Sequence, residues 1–433
     1  MKRLAFVLLA PAAAAPLAFL GPDRARTHAG PAGDLPLGDL VVHEWGTFTS
    51  MQGSDGVTLD GLQHEEEGLP DFVYSRTKVR ECPLRDRGYK GLEVDVTNVT
   101  EKMETPVTYF YSDRPGRVHV RVGFEHGLLS QWYPVSDLLG PPERRPEDGP
   151  LDMSKVDRSF LDWKIDVLPK GEGLSDVPAV AEHDPWRFAR IPDSNCVRTA
   201  ERESPRLGPV ETEKFLFYRG LGRFTLPLRA VTAPGGRITL FNDGEDAVRH
   251  VVVVHVRDGH AMLDTAQEVG ARSSVDLECP VSMDGPKLEE VLPKLERVLQ
   301  DALVEEGLYA KEAEAMTKTW ERSYFRAEGL RILYVVPERV TNALLPIAID
   351  PTPKAIRRVL VGRLECITPE VEAEVAAALA ARRSSDESAR QAAEERLARL
   401  GRFLEPHLRR VIAATKDGET REAAEELLKS VGR

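Results

Sequence analysis

The chain has 433 residues, 42% of them hydrophobic and 30% charged, which excludes wholesale disorder and a multi-span membrane protein. At about 150 residues per domain, its length predicts two or three domains. It carries 58 Lys and Arg against 70 Asp and Glu, a net charge of -12; a globally acidic surface repels phosphate backbones, so nucleic-acid binding is not expected.

Met1-Lys2-Arg3 is a short basic start, and an almost uncharged run rich in Ala and Leu follows from Leu4 to Leu20. That is the layout of a secretory signal peptide, expected over residues 1–29, with Ala13 and Ala15, or Thr27 and Ala29, marking cleavage sites. Pro11 and Pro16 argue against a retained spanning helix, and no later segment is long and apolar enough to span a bilayer. The expected address is the periplasm, the cell envelope or the exterior.

The first chemistry-bearing segment is His43-Glu44-Trp45-Gly46-Thr47, followed by Gln63-His64-Glu65-Glu66-Glu67. Two His-Glu dipeptides are suited to give imidazole and carboxylate ligands to a divalent metal, with His43, His64 and Glu65 the candidate ligands, or a carboxylate base beside one. Neither histidine has the partner one helical turn away that a zincin requires. Lys102-Met103-Glu104-Thr105-Pro106 comes next, and Lys102 and Glu104 share a face if extended, as an ion pair or a general acid/base couple. His43, Glu44, His64, Glu65, Lys102 and Glu104 thus form the candidate polar cluster.

From residue 105 to about 256 the apolar period is two, the period of strands with a buried face. Residues 107–111 and 117–124 flank Ser112-Asp113-Arg114-Pro115-Gly116 and predict a hairpin. Val251 to Val254 are consecutive, which predicts a strand covered on both faces. His255 and His260 flank the turn Arg257-Asp258-Gly259. The period changes at Pro286: Leu288, Val291, Leu292, Leu295 and Leu299 predict one helix, and Ala313, Met316, Trp320 and Tyr324 a second. Strands are expected at 330–336 and 356–364. Thr368-Pro369-Glu370 reads as a helix start.

The predicted fold class is α+β: an antiparallel β-sandwich-like body over 30–285, an α/β segment over 286–368 and a C-terminal α-helical module over 369–433. Around residues 385–430, Ala389, Ala392, Leu397, Pro406, Leu408, Val411, Ala423 and Leu427 resemble a single HEAT-like helical repeat. A lone unit must dock on the body, bind a protein partner through its helices, or fold as a small bundle. Cys82, Cys196, Cys279 and Cys366 permit disulfides in an exported chain, with no pairing singled out by spacing.

The strings His43-Glu44-Trp45-Gly46-Thr47-Phe48-Thr49, Gly61-Leu62-Gln63-His64-Glu65-Glu66, Lys102-Met103-Glu104-Thr105-Pro106 and Lys214-Phe215-Leu216-Phe217-Tyr218-Arg219-Gly220 resemble those of a family of exported bacterial proteins. That resemblance brings no activity or catalytic residue with it. The expected function is a binding or structural role at the cell envelope, with a metal-assisted hydrolase built on the N-terminal His/Glu residues as the alternative.

Overall fold

The computed structural model describes residues 39–62, 68–76, 96–141, 149–201, 208–382, 384–399, 401 and 404–431. The expected signal peptide and His64, Glu65 and Cys82 lie outside the described residues.

Successive side chains on a strand face opposite sides of a sheet, so a long strand that is apolar on both sides must be covered on both. Val41–Gln52 is such a strand, with Val42 and Phe48 on one side and Trp45 on the other. It lies in the middle of a nine-stranded sheet. In spatial order the strands are His260–Val269, Val248–Arg257, Gly329–Val335, Ala355–Cys366, Val41–Gln52, Glu101–Tyr111, Leu216–Gly222, Gly127–Tyr133 and Tyr74–Ser75. The pair formed by Val41–Gln52 and Ala355–Cys366 is parallel, and the remaining pairs are antiparallel. The segment 286–368 therefore supplies two long strands to the same sheet as the body.

One face of this sheet packs against a six-stranded and a three-stranded sheet, forming a sandwich. Phe48, Met103, Phe110 and Tyr218 share this core with Val120, Phe124 and Trp163 of the six-stranded sheet and Leu228 and Leu240 of the three-stranded one. The opposite face is covered by helices Leu288–Glu305 and Ala310–Trp320, whose Leu295, Leu299, Met316 and Trp320 pack with Trp45, Tyr109 and Leu333. The four consecutive valines divide as their register requires, Val251 and Val253 into the sandwich and Val252 and Val254 under the helices. The architecture is α+β.

Residues 107–111 and 117–124 are not a hairpin. Glu101–Tyr111 belongs to the nine-stranded sheet, and Gly116–Glu125 pairs with Arg158–Val167 and Ile347–Asp350 in the six-stranded one. The intervening turn carries the chain from one sheet to the other, because Phe110 and the alternating Val118, Val120 and Val122 fill a common core from opposite sides. Apolar alternation specifies a buried face, not a hydrogen-bonded neighbour.

Four helices follow: Pro369–Arg382, Glu387–Arg399, Leu404–Ala414 and Gly418–Val431. They enclose a small core of their own that includes Val375, Leu379, Leu397, Leu408 and Ala424. Thr368 starts the first, its carbonyl accepting from Glu372 N at 3.0 Å and its hydroxyl from Val371 N at 3.5 Å. This bundle docks on the body through Val371, which packs with Met51, Leu59 and Ile367, and through Glu372, which accepts bonds from Ser54 N and Oγ at 3.2 and 2.8 Å. Cys196, Cys279 and Cys366 are buried free thiols, so no disulfide forms among them; burial pushes the Cys279 thiol up to about 12.

Where the Val41–Gln52 and Glu101–Tyr111 strands pair, the register slips between Trp45 and Thr47, opposite the left-handed Thr105. A Cβ added to Gly46 would stand 2.9 Å from the Cα of Pro106. Backbone cannot rotate away as a side chain can, so Gly46→Ala should cost about 1–3 kcal/mol in denaturant unfolding. Unchanged stability would mean that the bulge is not packed as described.

Candidate functional site

The polar residues of the motif strings occupy neighbouring strands of the central sheet, and their side chains divide between its faces. On the sandwich side, Thr108, Glu44 and Arg358 stand in register across three strands. Glu44 is fully buried; its Oε2 accepts from Arg358 Nε at 2.7 Å, and its Oε1 accepts from Thr108 Oγ1 at 3.1 Å and from the Tyr218 hydroxyl. Arg358 also donates to Asn342 Oδ1 at 2.9 Å and to the Leu345 carbonyl at 2.6 Å. Burial, then the Glu44 charge, pushes the Tyr218 phenol well above its ordinary value. This arrangement meets the requirement that a buried charge be paired and hydrogen-bonded.

On the helix side, Lys102 Nζ lies 3.0 Å from Glu104 Oε1, while Glu104 Oε2 accepts from Thr49 Oγ1 at 2.7 Å and Tyr324 Oη at 2.9 Å. Burial alone would raise the Glu104 pKa, but Lys102, Arg363 and Arg219 outweigh it and hold the carboxyl well below the usual range. Arg363 and Arg331 both donate to Glu365 Oε1, at 2.7 and 3.3 Å. Their remaining donors meet the π-helical turn Glu321–Phe325 and the residues after it: Arg331 donates to the Tyr324 carbonyl and reaches the carbonyls of Ala327 and Glu328 at 2.6 and 2.9 Å, and Arg363 lies 3.9 Å over the Tyr324 ring. Lys102 and Glu104 thus form an ion pair, within a network that joins the sheet to the end of the second helix.

His43 does not join Glu44. Their adjacency in the strand sends them to opposite faces, and the His43 ring meets Glu312 Oε2 at 2.8 Å through Nδ1. Glu312 is itself fully buried and also accepts from Tyr111 Oη and Tyr309 N, each at 2.7 Å. Among the described residues no group of three His, Cys, Asp or Glu side chains is placed to hold a metal ion. The partners Glu312, Arg358, Arg363 and Glu365 escaped sequence reading; their only signal is charge inside otherwise apolar strand and helix patterns.

An apolar-walled concavity lies elsewhere, where the three-stranded sheet, the Arg257 turn and helix Pro369–Arg382 meet. It is a cleft of about 750 Å³, within the usual range for a small-molecule site. Val256, Leu330, Ile367 and Val371 give it apolar walls. His255 lines it with Nδ1 3.1 Å from the Cys279 carbonyl; a carbonyl only accepts, so Nδ1 carries the proton and Nε2 of the neutral ring is an acceptor. Burial, followed by the charge of Arg257 and that of Arg331, lowers the His255 pKa, opposed by the Cys279 bond and by Glu370. Glu370 Oε1 accepts from Gly235 N at 3.2 Å, and Arg257 Nη2 pairs with Glu374 at 3.2 Å. Thr232 lines the same cleft, 6% exposed, and its hydroxyl has no hydrogen-bond partner.

No protein-family model and no curated protein matches the chain. Among solved structures it is similar to the Fcho1 mu homology domain of Danio rerio with bound Eps15 peptide, at 9% identity and TM-score 0.27, over 77% of this chain and 98% of that one. A yeast delta-COP-I mu-homology domain is similar at 6% identity and TM-score 0.24, over the same shares. Scores this low transfer neither fold nor function. Among the described residues no helix is long and apolar enough to cross a membrane.

Removing one partner of a buried ion pair leaves the other charge uncompensated, so Arg358→Met should cost about 3–5 kcal/mol. Arg117 pairs with Asp166 at 2.9 Å on the surface, so Arg117→Met should cost less than about 1 kcal/mol. Equal losses in denaturant unfolding would contradict a structural role for the Glu44 network.

Proposed function

We propose that the chain is an exported binding protein whose ligand occupies the cleft between the three-stranded sheet and helix Pro369–Arg382. The observation that carries this reading is the cleft itself: about 750 Å³, walled by apolar side chains, with His255, Glu370 and Thr232 among its lining residues. A few convergent polar groups in an apolar concavity are the usual composition of a ligand site. Export is supported by the basic start and apolar run of residues 1–29 and by the resemblance to exported bacterial proteins. For the metal-assisted hydrolase, His43 and Glu44 are buried, face opposite sides of the sheet and are engaged by Glu312 and Arg358, and His64 and Glu65 lie outside the described residues.

The test is recovery of the tagged full chain from its native host, followed by denaturation and mass spectrometry of what is released. The processed chain should come from outside the cytoplasm and release a small molecule. Val281→Trp, which places an indole on a loop that lines the cleft, should be recovered folded and empty. Full-length cytoplasmic protein, or a wild-type chain as empty as the variant, would overturn the reading.

A further inference from the structure

The half-buried polar groups of the cleft differ in kind from those at its rim. His255, Glu370 and Glu374 are partly buried, and Thr232 is buried. The guanidinium-bearing Arg237, Arg257 and Arg396 are all exposed, and Arg257 is engaged by Glu374 at 3.2 Å. With Nδ1 committed to the Cys279 carbonyl, the neutral His255 ring offers an acceptor, as does the Glu370 carboxylate, and a hydroxyl both donates and accepts.

We propose that the cleft takes an amphiphilic amine, its apolar body against Val256, Leu330, Ile367 and Val371 and its ammonium group donating to Glu370 and His255 Nε2. The inference rests on the ligand-cleft reading and adds the chemical class of the ligand. An ammonium has three N–H donors and no acceptor, the complement of this inner set. A carboxylate of the same length would bring a second negative charge beside Glu370. That repulsion is strongest where water is partly excluded, and the exposed guanidinium groups at the rim are too well solvated to offset it. Glu370 also stands in the first turn of its helix, where the backbone N–H groups and the Thr368 side chain favour its ionised form against the effect of burial. His255 and Glu370 are close enough for each to influence the other's ionisation.

Calorimetric titration of the full mature chain with decylamine, decanol and decanoate, each below its micelle concentration at neutral pH, separates the class from the cleft. Decylamine should bind at least about tenfold more tightly than decanol, a difference of about 1.4 kcal/mol, and decanoate more weakly than either. Glu370→Gln should lower decylamine affinity about tenfold and leave decanol unchanged. Val281→Trp should remove binding of both. Decanoate binding as tightly as decylamine, or decylamine no better than decanol, would overturn the amine assignment and leave the ligand cleft standing. Absence of binding by all three probes, or binding indifferent to Val281→Trp, would overturn both.

Discussion

A strand in the middle of a sheet that is covered on both faces has no access to water, and Val41–Gln52 carries His43 and Glu44 into that position. The rest of the structure answers this constraint. Glu44 is met by Arg358 from the parallel neighbour and by Thr108 from the antiparallel one, in register, with Tyr218 completing the shell from the next strand. His43, on the other face, is met by Glu312 from a covering helix. An uncompensated charge there would cost several kcal/mol, a large part of the roughly 5–15 kcal/mol by which a domain is stable. The polar ladder therefore fixes which strands lie beside the central one and in what register.

Lys102, Glu104, Arg363, Glu365 and Arg331 extend the same logic to the helix side, tying three strands to the π-helical turn Glu321–Phe325. The unusual strings at residues 43–49, 102–106 and 214–220 are thus adjacent in space because they build one sheet. Their residue types suit catalysis as well as structure, but His43, Glu44, Lys102 and Glu104 are engaged by buried partners, while the Thr47 and Thr105 hydroxyls are buried without a hydrogen-bond partner. The cleft is lined by Thr232, His255 and Glu370 at the margin of the body, where His255 Nε2 is left for a ligand.

Much of the element pattern was legible in the sequence: the paired apolar faces of residues 251–254, the helix faces of Leu288–Glu305 and Ala310–Trp320, and the helix start at Thr368 all follow from local periodicity and capping. Strand partnership was not, and the turn at residues 112–116 shows why. A turn with good local chemistry joins two strands whether they pair or cross between sheets, and only the distant partners decide. The same holds for the site. Arg358 lies 314 residues from Glu44, and Glu312 lies 269 from His43, so no spacing rule connects them. His255 was visible beside its turn, yet nothing local marked it as lining a cleft whose opposite wall begins at Pro369.

Val41–Gln52 is thus a permanently closed strand whose polar side chains are structural. Native-state hydrogen exchange of the full chain measures this directly. Amides within Val41–Gln52 should exchange only through global unfolding, at the slowest rate in the molecule. Exchange of Glu44, Trp45 or Thr47 through local opening, faster than that of the flanking strands, would contradict it and return these residues to a functional role.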